Sequence, residues 1–473
     1  MRRRVVLQLV LAATACGGGV PVARTPQPEP EPAPANPAPV QPPEPRAELP
    51  ASTVPPGGLR PDERGEAPKR GPNVPRSADY LDRRFGGPEV RVALGVTHER
   101  TPVGGVGTWR VVAPGDATFG FRPSRGGRYA VEQQGDRLRI ASGDGDATPW
   151  RRGPIEMEAV TPMAFVAYKG HAYSGRLRFV STDTGVLVVN ALPMEQYLRG
   201  VVPGEIGVRQ PNERAAVEAQ AIAARSYAAI KLGGRSAHPY DLLATVIDQV
   251  YGGRDAHQPL TDSAVLATQG IVLTYAGRVI NAPYHASAGG ITAEAPEVWR
   301  TAGEPFLRRV SEQIPGSARF YDDIAPRFSW TVRFSAAELE RLADRWLPQY
   351  AGAPTGGLGG VRAVEVTGRT PSGRAAGLAF DTPRGRFTVR GNDLRFVLRS
   401  TNGELLNSTL VDLESAPGPG GALSSLVVRG KGYGHGVGMC QWGAIGRARA
   451  GQDVRTILAT YYPGTRLERL PER

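Results

Sequence analysis

Lys431–Gly446 reads KGYGHGVGMCQWGAIG, six glycines in sixteen residues around one histidine and one cysteine. Four roles are open to such a stretch: phosphate loop, metal site, nucleophile, or wall of a ligand cleft. A phosphate loop wants Gly-x-x-x-x-Gly-Lys-Ser/Thr, but Lys431 precedes the glycines and no hydroxyl is placed for magnesium. The alternation Gly432, Gly434, Gly436, Gly438 also misses the dinucleotide spacing. Six histidines, at 98, 171, 238, 257, 285 and 435, show no His-x3-His or Cys-x2-Cys spacing, so no metal and no cofactor is expected. A Cys440 nucleophile would need a base and an electropositive site; a small packed residue is the simpler reading. A glycine at every second position of an extended segment leaves one face bare, admitting a flat polar ligand or another backbone. Tyr433, His435, Gln441 and Trp442 then form the polar and aromatic set of a sugar-binding wall, the alternative being a tightly packed turn.

Two other side chains stand out. Glu205 in YLRGVVPGEIGV follows Pro203-Gly204, which should break the preceding helix and place Glu205 on a turn between Val202 and Ile206. A carboxyl walled by apolar side chains loses hydration, and its pKa rises as a general acid at neutral pH requires. A solvent-exposed turn glutamate is the plainer alternative. His285 in APYHASAGG, followed by small residues and Gly289-Gly290, suggests a backbone-lined crevice, or else a satisfied histidine at a strand end.

The elements that would position these residues begin near Glu89. VRVALGV, TWRVVA, YAVEQ, LRIAS, AFVAYKG, GRLRFVS and GVLVVNAL alternate or are β-branched, with turn residues between them, and read as antiparallel strands. The period then changes. PMEQYLRGVV reads as a short helix, and residues 212–231 as a long one with Val217, Ala221, Ala224 and Ala228 at helical spacing. GIVLTYAG and RVINAPYHAS return to strand, as do VRAVEVTGR, GLAFDT and RGRFTVRG. Between these groups, 335–347 is expected to be a helix capped by Ser335 with Glu338 three residues on, and DVRTILATYY a last helix. The fold class is therefore α+β: a single large β-rich domain over 89–467 with a few helices.

Residues 1–16 carry three arginines, an apolar run too short to span a bilayer, and then Ala13-Thr14-Ala15-Cys16. This is an export signal, and its end resembles a lipobox whose cysteine takes a diacylglycerol. With Cys16 lipidated, Cys440 has no partner among the two cysteines of the chain, and a disulfide framework is excluded. Residues 17–76 are Pro-rich and read as a disordered tether. In polyproline form about sixty residues would reach on the order of 180 Å. The net charge of +12 suits an anionic partner, and for an exported chain cell-wall polymer or anionic lipid fits better than nucleic acid.

Taken together, YLRGVVPGEI, AVEAQAIAARSYA, YHASAGG, GYGHGVGMCQWGA and YYPGT, in that order, resemble the stage II sporulation protein D / amidase-enhancer family over most of 89–467. The resemblance implies a β-rich α+β protein of the cell envelope that acts on peptidoglycan, with helices lining a glycan groove. It implies a lytic transglycosylase with Glu205 as catalytic acid/base, or a non-catalytic enhancer of an N-acetylmuramoyl-alanine amidase. Its substrate-binding residues fall on Gln220, Arg225, His285, Ser287, Tyr433, His435 and Gln441. Arg225 would pair with a lactyl carboxylate, or serve as a buried ion-pair partner. The sequence departs from members that bind zinc near the His285 segment, since no cysteine lies there, and it has Cys440 where many have serine.

Overall fold

The computed structural model describes residues 85–470, apart from 99, 122, 124–127, 162–163, 235–237 and 401–402. The signal segment, Cys16 and the 17–76 tether lie outside the described residues.

Residues 89–193 build two antiparallel sheets. The seven-stranded one runs, edge to edge, Leu242–Leu243, Glu89–Thr97, Gly185–Pro193, Arg176–Thr182, Ile155–Ala159, Trp109–Ala113 and Asp116–Phe121. Only the Leu242–Leu243 edge is parallel to its neighbour. The six-stranded one is built from strands between Thr101 and Tyr173. All seven expected strands are present. Those missed, Thr101–Val106, Asp116–Phe121, Arg151–Arg152, Ile155–Ala159 and His171–Tyr173, carry glycines, charges or too few residues to show a period.

Strand Gly185–Pro193 delivers the chain into helix α1, Met194–Ile206, and α2, Arg214–Lys231, packs against it. α1 is buried all round except at Gly204. Two of its three charged residues are ion-paired, Glu195 with Arg225 of α2 and Arg199 with Asp262 of α3, Pro259–Ala267; the third is Glu205. The expected break at Pro203 does not occur. Helix continues to Gly207, whose positive φ of 78° ends it, and Glu205 sits in its last turn rather than on a free turn. Pro203 gives up one backbone hydrogen bond, a loss that burial of the surrounding residues offsets.

Beyond the histidine segment a second apolar core forms around Phe334, Leu347, Leu378, Phe380 and Leu426. It lies between the sheet of Ser329–Ser335, Leu423–Lys431 and Val411–Pro417, a three-stranded meander over Ala363–Arg390, and helix Ala336–Ala351. That helix starts with the expected box, Ser335 receiving Glu338 N–H while the Glu338 carboxylate receives Ser335 N–H. The chain leaves the first core at Phe328 and re-enters it at Gly432, whose N–H donates to Phe328 O at 3.0 Å.

Candidate functional site

Glu205 is 4 % exposed, and its Oε1 receives the Val250 N–H at 2.6 Å. Glycines explain the close approach. Gly200 and Gly204, one turn apart on α1, have no Cβ, and 250–253 packs directly on them; a Cβ at Gly204 would lie 3.0 Å from Val250 O. Gly252 N–H in turn donates to Gly200 O. Next to Val250, Gln249 links two phenols. Its Oε1 receives Tyr197 O–H at 2.8 Å and its Nε2 donates to Tyr284 Oη at 2.9 Å. Burial drives both phenol pKa values well above 10, with the Glu205 charge among the further causes. Both rings therefore lie within the field of Glu205 and stay protonated.

The end of the glycine-rich stretch reaches the same place. Gln441 is fully buried; its Nε2 donates to Glu205 O at 3.1 Å and to Gln220 Oε1 at 3.2 Å. These contacts fix the orientation of the Gln441 amide. They leave Gln441 Oε1 and Gln220 Nε2 buried without a protein partner.

The stretch itself is not the extended segment with one bare face that its alternation suggested. Gly432, Gly434, Gly436 and Gly438 have φ of 77°, 116°, 86° and 71°, so every second residue turns the chain through positive φ and it coils. At two glycines the coil seats on backbone, a Cβ at Gly432 meeting Ser287 O and one at Gly438 meeting Pro283 O; at Gly436 it seats on a side chain, the Arg374 guanidinium. Of the two partners allowed for bare glycines, ligand or backbone, Gly432 and Gly438 take backbone. Ser287 and Tyr433 exchange two backbone hydrogen bonds, and Tyr284–His285 pairs in parallel with Met439–Cys440.

Val437 bridges the two histidines. Its N–H donates to His435 Nδ1 and its carbonyl accepts from His285 Nδ1, both at 3.1 Å. Both imidazoles are neutral at pH 7. Burial and then Arg395 push His435 down to about 3, and burial and then His435 push His285 well below its ordinary value. His285 Nε2 is a buried acceptor without a partner. His435 is half-buried against Trp299, ring centroids 5.0 Å apart.

Arg225 and Ser287 both make structural contacts. Arg225 is fully buried and grips Glu195 with both edges of its guanidinium, 2.9 Å from Oε1 and 2.7 Å from Oε2, while also donating to Ile271 O. It braces α1 against α2, the second of the two roles open to it. Ser287 is turned inward, its hydroxyl donating to Asp322 Oδ2 at 3.0 Å. The same oxygen receives the N–H groups of Gly289 and Gly290. Cys440 Sγ accepts from Gly443 N and Ala288 N, capping helix Gln441–Arg449. Burial, then Asp322 and Glu312, raise its pKa well above 9, so it is a packed thiol rather than a nucleophile.

Sequence reasoning missed Val250, Gln249, Asp322 and the buried Arg374 and Arg395. None belongs to a motif. Tyr284 lay inside APYHASAGG and was passed over, although a tyrosine beside the histidine was a visible signal. Among the described residues no three His, Cys, Asp or Glu side chains cluster to hold a metal ion.

Residues 182–275, which include Glu205, Gln220 and Arg225, match the family model described as stage II sporulation protein, SpoIID. The stage II sporulation protein D of Bacillus amyloliquefaciens is 30% identical over 291 residues, 58% of this chain and 74% of that protein. The chain belongs to the SpoIID family. An uncharacterised protein of Brachyspira hyodysenteriae is 31% identical to this SpoIID-family chain over 296 residues, covering 72% of the relative. The amidase enhancer of Bacillus subtilis is 29% identical over 301 residues, and the match spans 40% of its length. Residues 308–438 match a second family model, described as a domain of unknown function, so the second core of this SpoIID-family chain lies within a separately recognised segment.

Proposed function

We propose that the chain is an exported peptidoglycan lytic transglycosylase with Glu205 as its acid/base. The observation that carries this reading is a nearly buried carboxyl, held at one oxygen by the Val250 N–H, beside two protonated phenols. One carboxyl suffices for this reaction. Glycoside hydrolases generally need two, one for the leaving oxygen and one to act as nucleophile or to activate water. Here the C6 hydroxyl of N-acetylmuramic acid attacks C1 of the same sugar. Glu205 gives its proton to the departing glycosidic oxygen and receives the hydroxyl proton. The C1–O4 bond breaks, the C1–O6 bond forms, and no water is consumed. Intramolecular attack supplies the proximity that a second protein group would otherwise provide. In this reading Gln220, Gln441, His285, Ser287, Tyr433 and His435 shape the surroundings of the glycan, and lipid on Cys16 holds the chain to the membrane.

The test is mass spectrometry of peptide-free glycan strands incubated with the purified chain. We expect 1,6-anhydro ends, one water lighter than hydrolysed ends. Glu205→Gln should lower their rate of formation by about 10² to 10⁴ while strand binding persists. Reducing ends, or anhydro ends formed equally well by the variant, would rule the assignment out.

A second reading has its own support: a non-catalytic peptidoglycan-binding enhancer of an amidase. The Bacillus subtilis amidase enhancer is a relative, and Gln220, Arg225, His285, Ser287, Tyr433 and Gln441 are all buried, as in a scaffold. Strand binding without cleavage, together with faster release of peptides by an added amidase, would select it.

A further inference from the structure

The amide of Gln249 has a direction, and that direction decides what Tyr284 can do. Gln249 is buried, and its amide touches three groups: Tyr197 Oη at 2.8 Å, Tyr284 Oη at 2.9 Å and the Ala224 carbonyl at 3.3 Å. A carbonyl only accepts, so the amide end facing Ala224 O is the nitrogen. The same nitrogen faces Tyr284, and its second hydrogen goes to Tyr284 Oη. The oxygen end faces Tyr197, which therefore donates. The relay runs one way, from Tyr197 through Gln249, and ends on a phenol that accepts.

A phenol has one hydrogen to give. Tyr197 is fully buried and spends its own on Gln249. Tyr284 is only half-buried and keeps its own, with no acceptor for it among the described residues. Accepting from Gln249 polarises that O–H and strengthens it as a donor. Its place is set as firmly as its direction. Gln249 holds the phenol, and Val250, the next residue, holds Glu205 Oε1, so one dipeptide anchors both side chains. The Tyr284 backbone pairs with Met439, two residues before Gln441. Burial first and the Glu205 charge second hold the phenol pKa well above 10, so Tyr284 keeps its proton while Glu205 gives and takes one.

We propose that Tyr284 is a substrate-contacting residue of the Glu205 site, donating its O–H to an uncharged oxygen of the substrate beside the bond that breaks. A neighbouring carboxylate repels an anion, so a hydroxyl, ether or amide oxygen suits this donor better than the lactyl carboxylate does. Tyr197 and Gln249 are buried and do not touch the strand; they are positioning residues that leave the Tyr284 hydrogen uncommitted. The proposal rests on the peptidoglycan reading above, which supplies the substrate, and adds to it a donor that the acid/base step does not use.

The experiment is calorimetric titration of the full chain carrying Glu205→Gln, so that strands stay whole, with cleavage by the chain that keeps Glu205 measured alongside. The ligands are peptide-free glycan strands and the same strands with methyl-esterified carboxyls. Tyr284→Phe should weaken strand binding by about tenfold and slow formation of anhydro ends by about tenfold or more. Esterified strands should lose as much affinity from Tyr284→Phe as intact strands do. Tyr197→Phe removes a hydrogen bond from a more buried place, so it should lower the melting temperature more than Tyr284→Phe and the affinity less. Unchanged affinity and rate in Tyr284→Phe would overturn the proposal. So would an effect confined to intact strands, which would make the carboxylate the acceptor. Tyr197→Phe weakening binding as much as Tyr284→Phe would also overturn it, since the phenols would then be a brace alone. If the chain with Glu205 makes no anhydro ends, the transglycosylase reading fails while this affinity is still read. If anhydro ends form and neither rate nor affinity responds to Tyr284→Phe, the donor alone fails.

Discussion

At the residue scale, Glu312 is the buried carboxyl with the clearest measurable signature. Burial first, and the Asp322 charge second, push its pKa up to about 7, against the opposing pull of Arg447 and Tyr461. Between about 4.5 and 7 the folded state therefore holds a proton that the unfolded chain has released. The resulting stability is full below the unfolded value and is lost as pH rises through the folded one. A shift of this size corresponds to about 3 kcal/mol. Glu312→Gln cannot titrate, so the fall in melting temperature between about pH 5 and pH 7.5 should flatten in that variant. An unchanged slope would place the titration on Asp322 instead. The site was only half legible at this scale. Glu205, His285 and Gln441 were visible because each sits in a motif with its own local logic. Asp322 was not, because its importance comes from chain that folds back: it binds Ser287, Gly289 and Gly290 from more than thirty residues away. Arg225 shows the converse, a motif residue whose partner, Glu195, decides a structural role.

Among the elements, α1 carries the sharpest test. In an exposed helix Gly→Ala is worth about 1 kcal/mol of added stability. At Gly200 the new methyl would run into the Tyr251 ring and approach Gly253 O to 3.0 Å, so overpacking should win and cost about 1–3 kcal/mol. Gly204→Ala should push the Val250 backbone away and so loosen its N–H from Glu205, lowering cleavage more than stability. Denaturant melts and strand cleavage, measured side by side, separate the two effects; a stabilised Gly200→Ala would show that the contact is slack. The same elements show why boundaries were harder to read than existence. Helix 212–231 announced itself by alanine spacing, and 335–347 by its box. α1 runs through Pro203 because burial on every side holds it, and QWGAIGRAR is helical despite Gly443 and Gly446. Those glycines look like breakers in sequence. In space they are clearances, since a Cβ at Gly443 would meet Tyr461 and Glu312, and one at Gly446 would meet Tyr321 O.

For the whole molecule, reach matters as much as chemistry. The Pro-rich composition of 17–76 suits an extended tether from Cys16, which would let a membrane-held domain work on a distant polymer layer. Cys16→Ser should move the chain from the membrane to the soluble fraction while the purified domain keeps its melting temperature. Unchanged membrane sedimentation would exclude the lipid. The architecture of the second core was the least legible part: the strands over Ala363–Arg390 were read, Ser329–Ser335, Val411–Pro417 and Leu423–Lys431 were not, and nothing local said that they close on themselves. What permits that closure is the neck. Phe328 O and Gly432 N–H stand one hydrogen bond apart, so residues 329–431 depart and return through the same doorway. Chain path alone would let such an insert grow or shrink at its far side, provided Arg374, which donates to Ala288 O and Ile291 O, stays in place. Length differences among related chains should therefore gather inside 329–431, leaving the Glu205 end of the molecule on an unaltered frame.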